Sequence, residues 1–138
     1  MLIKFDETFS KPIDDVFPYF KDPASWVKLY GEAAPVAVAA DGWTTIPLQK
    51  FPFPLKARLA HSEPGQKVMW VFDGFWRGIA QIEFQSSIDA EGTSRTRVFG
   101  FEYIVPFGFW FAEHWIAKTF MQKEFERIWA LGWRRLSR

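Results

Sequence analysis

The candidates for acid–base or anchoring chemistry are His61, Tyr103, His114 and Arg97. The chain has 2 histidines, and an imidazole changes charge near neutral pH, so either could act as acid, base or polar anchor at a pocket mouth. Tyr103 lies near His114 in the chain, and such a pair could polarise a carbonyl. Arg97 could bind a ligand carboxylate or pair with an acid near a pocket rim. Each also has a structural interpretation, as a histidine satisfied by a backbone group or an arginine turned to solvent.

No motif identifies a reaction. The chain has Cys 0, which excludes thiol catalysis, disulfides and cysteine-based zinc sites. It also lacks a Gly-x-Ser-x-Gly motif, a phosphate loop, a dinucleotide fingerprint and a His-x-x-x-His pair. We therefore predict no cofactor and no metal. The catalytic residues are unknown, with His61, Tyr103 and His114 as candidates.

Charge and composition limit the classes of partner that we expect. The net charge is +1 and aromatic residues form 20% of the chain, with Trp 8 and Phe 16. A charge this low does not favour a polyanion, so no nucleic-acid partner is expected. So many rings exceed the needs of an ordinary core and favour a cavity or a contact surface. The basic residues at the chain end complement a helix C-terminus, and they are Arg127, Arg134, Arg135 and Arg138.

Length and patterning indicate one domain over residues 1–138. The first fifteen residues carry acidic side chains and no apolar run, so they do not form a signal peptide. The apolar run from Ile104 to Ala112 is too short to span a bilayer. We therefore expect a cytoplasmic protein without a transmembrane segment.

The order of elements predicts an α+β fold. Leu2 to Phe9 alternates as a half-buried strand. Capping residues followed by proline, at Ser10-Lys11-Pro12 and Asp22-Pro23, predict two short helices that end near Phe20 and Tyr30. Turn signals then separate strands predicted at 35–40, 43–49, 55–62, 67–73, 75–86 and 94–105. One long helix is predicted from Pro106 to Leu136.

The long helix has an apolar face that must be covered. Residues at helical spacing form one stripe, while Lys123, Arg127 and Arg134 lie opposite and face water. Such a helix must lie across the preceding sheet. The stripe consists of His114, Ala117, Met121, Phe125, Ile128 and Gly132, flanked by Phe111, Trp115, Trp129 and Trp133.

Loop lengths predict the covered face of the sheet. With Asp89–Gly92 as the loop of one hairpin, Ile88 opposes Thr93, and a two-residue turn at Gly74-Phe75 sets the register of the preceding hairpin. The predicted inner face contains Ala57, Leu59, His61, Met69, Val71, Gly78, Ala80, Ile82, Phe99, Phe101 and Tyr103, with Arg97 inward opposite Phe84. The opposite face then carries Lys56, Arg58, Arg77, Gln81, Glu83 and Glu102.

Two features leave alternatives open. Small residues on both facing surfaces (Ala57, Gly78, Ala80 and Ala117) fit either close helix-to-sheet packing or an unfilled space. The aromatic segments 51–54 and 107–111 fit a flap over a pocket, a dimer or membrane contact, or loops folded onto the core.

The whole chain resembles the START/polyketide-cyclase-like (SRPBCC) superfamily. The resemblance rests on the first strand followed by residues 11–20 (KPIDDVFPYF), on 22–26 (DPASW), on the late strands at 65–70 (GQKVMW) and 92–98 (GTSRTRV), and on the terminal helix. It implies a helix-grip fold, in which a curved antiparallel sheet of about seven strands wraps around a long C-terminal helix. It also implies a deep apolar pocket between the two. The superfamily has no shared catalytic motif, so no catalytic residue is carried over.

We therefore expect a protein that binds a small, mostly hydrophobic, lipid- or polyketide-like ligand between the helix and the sheet. The alternatives are a cyclase or dehydratase acting on such a ligand, and an interaction module whose pocket is collapsed. A homodimer or a peripheral membrane contact stays open. The predicted ligand-binding residues are Leu59, Met69, Val71, Ala80, Ile82, Phe84, Arg97, Phe99, Phe101, Tyr103, His114, Ala117, Met121 and Phe125.

Overall fold

In a computed structural model, the described residues are 1–29, 37–48, 50, 53–106 and 116–138, without the side chains of 116–118. The strands are β1 (Leu2–Phe9), β2 (Ala37–Val38), β3 (Thr44–Ile46), β4 (Leu55–Glu63), β5 (Lys67–Asp73), β6 (Trp76–Ile88) and β7 (Ser94–Pro106). Two short 3-10 helices (Ile13–Asp15 and Phe17–Tyr19) and helix α1 (Pro23–Val27) follow β1, and helix α2 (Ile116–Leu136) ends the chain.

The strands form one antiparallel 7-stranded sheet in the order β1-β7-β6-β5-β4-β3-β2. The predicted α+β class and the order of elements are confirmed. The predicted start of the long helix at Pro106 is wrong, because Pro106 is the last residue of β7. The segment 107–115 lies outside the described residues.

The short helices after β1 follow the predicted signals in part. Asp22 caps α1, since its carboxylate accepts a hydrogen bond from the Ser25 backbone N–H at 2.8 Å. The other predicted helix is instead two 3-10 turns, and its N-cap is Pro12 without a side-chain cap. Both segments place buried side chains, among them Phe20 and Trp26, against the inner face of the sheet.

The register predicted for the β6–β7 hairpin is wrong by one residue. Ile88 pairs with Ser94 and not with Thr93. The carboxylate of Asp89 accepts hydrogen bonds from the backbone N–H groups of Glu91 and Thr93, at 3.0 and 2.8 Å, and this draws Thr93 into the loop. Because side chains alternate along a strand, one extra loop residue turns every side chain of β7 to the opposite face.

A second error of the same kind affects β5. Phe72 pairs with Gly78, and Trp70 pairs with Ala80, so the turn is one residue longer than predicted. Glu63 pairs with Lys67, so a three-residue loop joins β4 to β5. A bulge between Leu59 and His61 then shifts β4, which keeps Leu59 inside and leaves His61 outside.

These registers correct the predicted inner face. Ala57, Leu59, Gly78, Ala80 and Ile82 lie on it as predicted, with Phe84. The residues wrongly predicted to face inward are His61, Met69, Val71, Arg97, Phe99, Phe101 and Tyr103. Their places are taken by Val68, Trp70, Phe72, Val98, Gly100, Ile104 and Glu102, and Glu102 had been predicted to face outward.

Two glycines allow the sheet to bend where β6 and β7 pair. Gly78 and Gly100 have φ values of +154° and +153°, which L side chains rarely adopt. A Cβ at Gly78 would overlap the carbonyl oxygen of Tyr103, and one at Gly100 would overlap that of Gln81. Glycine is therefore required at both positions, and such kinks let a sheet curve around a helix.

Helix α2 covers the inner face through a cluster of stacked rings. The ring of Trp129 lies 4.7 Å from that of Phe5 and 4.6 Å from that of Trp26, and Trp133 stacks on Trp129 at 5.5 Å. The predicted stripe is confirmed for Phe125 and Gly132, which are buried, and for Ile128, which is partly buried between them on the same face. This end of the molecule is a packed aromatic core.

The helix approaches α1 closely because residue 132 is a glycine. A Cβ on Gly132 would lie 2.5 Å from the Cη2 and Cζ2 atoms of Trp26. The Trp26 ring cannot yield, because it packs against the rings of Phe20, Trp129 and Trp133. We therefore expect Gly132→Ala to destabilise the protein by about 1–3 kcal/mol through overpacking, despite the better helix propensity of alanine.

Urea denaturation of Gly132→Ala, alone and combined with Trp26→Phe, tests this contact. Phenylalanine lacks the two crowded ring atoms, so Gly132→Ala should cost much less in the Trp26→Phe background. Equal cost in both backgrounds would show that the crowding does not arise from Trp26.

Candidate functional site

A small cavity lies between α2, α1 and the inner face of the sheet. Its volume is about 30 Å³, which is room for one or two water molecules. A larger ligand therefore has to displace side chains at its wall. The described side chains that line it are aliphatic or aromatic except for one carboxyl group, and they are those of Pro23, Trp26, Ile46, Leu48, Leu55, Trp70, Phe72, Phe125, Ile128, Trp129 and Glu102.

The carboxyl group belongs to Glu102, on the inner face of β7. Glu102 pairs with Ala80 on β6 and Ile3 on β1, and only 4% of its surface is exposed. The indole N–H of Trp129 on α2 acts on this carboxyl group and favours its charged form. The other oxygen, Oε1, has no hydrogen-bond partner among the described residues. A buried polar atom without a partner is uncommon in native proteins and often marks a functional group.

Burial sets the protonation of this group. Removal from water raises the pKa of Glu102 to about 7, against the smaller lowering effects of the Trp129 hydrogen bond and the Met1 terminal ammonium. The cause is that a charged carboxylate loses its hydration among apolar walls. Glu102 therefore carries its proton in mildly acidic solution and exchanges it near neutral pH, as a general acid, a general base or a hydrogen-bond donor would.

A second acidic side chain of α2, Glu124, is buried but paired. Its carboxylate accepts hydrogen bonds from Arg127, the shortest at 2.6 Å, and lies 3.4 Å from the Lys50 ammonium group. The Arg127 hydrogen bond is the largest cause that lowers the pKa of Glu124. Glu124 is thus held ionised by its partners, and the contact with Lys50 ties the chain after β3 to the helix.

The structure does not bring the predicted polar candidates into the cavity. His61 lies on the outer face, half exposed, with its Nε2 3.4 Å from Oε1 of Glu63. Tyr103 is 49% exposed on the outer face of β7. His114 lies outside the described residues. A Tyr103–His114 pair at the inner face is therefore wrong, because Tyr103 points away from it.

Arg97 is engaged on the outer surface. Its guanidinium donates hydrogen bonds to both carboxylate oxygens of Asp6, at 2.8 and 2.6 Å, and stacks over the ring of Phe99 at 4.2 Å. The predicted inward position opposite Phe84 is wrong, because Phe84 pairs with Val98. Arg97 is turned to solvent, as the structural interpretation expected, and it pairs with Asp6 there.

The other predicted ligand-binding residues lie in different regions of the structure. Phe125 lines the cavity. Ala80, Ile82 and Phe84 are buried on the inner face, and Leu59 and Met121 pack against the same core. Met69, Val71, Phe99 and Phe101 lie on the outer face, and the side chain of Ala117 lies outside the described residues.

Sequence reasoning missed Glu102 because β7 is ambiguous. One face of this strand reads Val98, Gly100, Glu102 and Ile104, and the other reads Arg97, Phe99, Phe101 and Tyr103. Both faces contain apolar residues and one charge, so alternation alone cannot choose between them. The signal that was present is the Asp89–Gly92 turn, whose aspartate favours a longer loop.

A second concave surface lies on the outer face of β1 and β7. It is broad and open, with Leu2, Phe99 and Phe101 beside the ion pair of Arg97 with Asp6. Leu2 pairs with Tyr103 there, and the two are 47% and 49% exposed. A homodimer or a peripheral membrane contact through exposed apolar groups stays a prediction.

Part of one predicted aromatic segment is described. Phe53 stacks on Phe75 with ring centroids 4.0 Å apart, and its carbonyl oxygen accepts a hydrogen bond from Nε1 of the buried Trp76. Phe53 is thus folded against β6, although 41% of it is exposed. Phe51, Pro52 and the segment 107–111 lie outside the described residues.

Within the described part of the chain, no helix is both long and apolar enough to cross a membrane. The same residues contain no group of three or more metal-ligating side chains.

Comparisons with known proteins support the fold. Protein TTHA0849 from Thermus thermophilus has a TM-score of 0.66 at 13% identity, over 99% of this chain and 97% of that one. Protein Mll3558 from Rhizobium loti has a TM-score of 0.57 at 14% identity, over 98% and 96%. The Aha1 dimer from Colwellia psychrerythraea has a TM-score of 0.53 at 8% identity, over 96% of each chain.

These similarities show the architecture, a curved antiparallel sheet with a C-terminal helix, and are consistent with a helix-grip fold. No protein-family model matches this chain. No curated protein matches it either.

The raised pKa of Glu102 predicts a pH-dependent stability. The folded protein keeps the proton up to about pH 7, whereas the unfolded chain releases it near the ordinary value of 4.5. The contribution is fully present below about pH 4.5 and is lost as the pH rises through 7. The free energy of unfolding should therefore fall across this window, by on the order of 3 kcal/mol from this group.

Urea denaturation at pH 5 and pH 8 measures this loss. Glu102→Gln, which cannot ionise, should lose much less stability than the wild type between the two values. Glu83→Gln, on the outer face of β6, is the matched control and should follow the wild type. Parallel behaviour of all three proteins would show that Glu102 ionises in the folded state as it does in water.

Proposed function

We propose that the protein binds a small, mostly apolar molecule in the cavity between α2 and the sheet. The observation that carries the proposal is an apolar cavity with a single buried carboxyl group, one oxygen of which has no partner among the described residues. Binding sites for small molecules typically combine apolar walls with a few polar groups that fix orientation.

The position of the cavity adds support. It lies between the helix and the sheet, where the resemblance to the START-like superfamily implies a ligand pocket. Most of the inner face is filled by stacked rings, and the cavity lies beside them, bounded by Trp26 and Trp129 of that cluster and by Phe125 and Ile128. The lipid- or polyketide-like character of the ligand and the cytoplasmic location predicted from the sequence belong to the same proposal.

An acid–base enzyme is the second candidate, and Glu102 is the observation that favours it. A carboxyl group with a pKa of about 7 inside a cavity has the protonation behaviour that general acid–base catalysis needs. His61 and Tyr103 lie on the outer face, so a reaction in the cavity would use Glu102. Turnover of a bound ligand that Glu102→Gln abolishes while binding persists would establish this candidate.

Filling the cavity should weaken binding. In Ile128→Phe the added ring occupies the space beside Phe125, so we expect apolar fragments to bind at least tenfold more weakly. The measurement is an NMR fragment screen that monitors the indole N–H signals, because Trp26, Trp70 and Trp129 line the cavity.

The matched control is Ile88→Phe, the same substitution at a residue that is 73% exposed at the end of β6. Its affinity should equal that of the wild type. Fragment binding that survives Ile128→Phe unchanged would place the binding site elsewhere.

A further inference from the structure

The polar chemistry of the cavity defines a ligand class. We propose that Glu102 donates a hydrogen bond from its Oε1 side into the cavity and thereby selects small apolar molecules that carry a hydrogen-bond acceptor, such as a ketone carbonyl, over hydrocarbons of the same shape. This inference rests on the proposed function and deepens it.

The hydrogen-bond partners around Glu102 favour a protonated carboxyl group that donates a hydrogen bond. An ionised carboxylate offers about four acceptor sites, and among the described side chains the indole N–H of Trp129 is the donor that acts on Glu102. An ionised carboxylate with so few partners costs free energy, whereas the neutral acid needs fewer partners. Since Oε1 has no partner among the described residues, the proton of the neutral acid still needs an acceptor.

The described side chains of the cavity wall cannot accept that hydrogen bond. Those that line the cavity with Glu102 are aliphatic or aromatic, and the indole of Trp129 is a donor only. A carbonyl oxygen brought by a ligand would satisfy Glu102 and leave the rest of the molecule against apolar surface. A hydrocarbon of the same shape would keep Oε1 unsatisfied, and this difference is the source of selectivity.

The alternative of a cationic ligand fits the rings less well. A cation–π site needs an open ring face. The face of Trp129 is stacked on Phe5 at 4.7 Å and on Trp133 at 5.5 Å, and Trp26 lies 4.6 Å from Trp129. The Met1 terminal ammonium, which donates a hydrogen bond to the carbonyl oxygen of Ile104, already acts on this carboxyl group.

Among the described residues that line the cavity, Glu102 is the ionisable one. The Met1 ammonium, which precedes β1, acts on it. On α2, Glu124 is paired with Arg127 and Lys50. The neighbour of Glu102 on β6, Ala80, and the cavity-lining residues of α1 carry no charge. Selectivity should therefore decline as the pH rises past about 7 and the carboxyl loses its proton.

The test compares cyclohexanone with methylenecyclohexane, in which a CH2 group replaces the carbonyl oxygen. Dissociation constants come from NMR titration of the indole N–H signals at pH 6 and pH 8. At pH 6 the wild type should bind the ketone roughly fivefold to tenfold more tightly, and this preference should shrink at pH 8. Cyclohexylamine is the cationic probe and should bind more weakly than the ketone.

Two substitutions separate hydrogen bonding from packing. Glu102→Gln keeps an N–H donor, so it should retain the ketone preference at both pH values. Glu102→Leu should lose the preference and bind the two probes equally. Glu83→Leu on the outer face is the matched control and should behave as the wild type, and dispersed NMR spectra check that each variant is folded.

The outcomes distinguish this inference from the proposed function. If no probe binds the wild type, the proposed function fails at this cavity and the inference fails with it. If ketone and hydrocarbon bind equally well, the proposed function stands and the acceptor selectivity is overturned. Tighter binding of cyclohexylamine, increasing at pH 8, would overturn it in favour of an ion pair with ionised Glu102.

Discussion

The structure depends on the burial of the inner face of the sheet beneath α2. Phe5 on β1, Trp26 on α1, and Trp129 and Trp133 on α2 meet ring against ring, and large aromatic surfaces of this kind contribute strongly to burial energy. Without the helix, this face of a seven-stranded sheet would be exposed to water. The contact also fixes the position of the helix, since Gly132 leaves room for the Trp26 ring.

The same packing creates the chemical environment of Glu102. A carboxyl group placed on the inner face loses its hydration, and the effect of Trp129 offsets only part of this loss. The fold thus tolerates an unfavourable group, where an apolar side chain of similar volume would pack without this cost. A buried residue that lowers the stability of the fold is typical of a functional site. For this reason the proposal for ligand binding rests on Glu102.

Much of the fold could be predicted from the sequence. Turn residues such as Pro64-Gly65 and Asp89 delimit strands, and β1, β5 and the apolar stripe of α2 agree closely with the predicted ranges. The candidate site could not be predicted to the same degree. Phe125 and the role of Ile128 on the helix face were found, but Glu102 was assigned to the wrong face by a loop one residue too short. Tyr103 and Arg97 were drawn inward by the register error of the β6–β7 hairpin, and His61 by the bulge in β4 that was not predicted.

The sequence by itself determined the element order, the α+β class and the need for a helix to cover the sheet, because apolar periodicity and turn chemistry are local properties of the chain. Only the tertiary structure decided which face of β5 and β7 is buried, because the two faces of β7 are similar in composition and a single loop residue exchanges them. It also decided that Glu102, and not His61, faces the cavity. That assignment depends on contacts between residues far apart in the chain, such as Glu102 with Trp129.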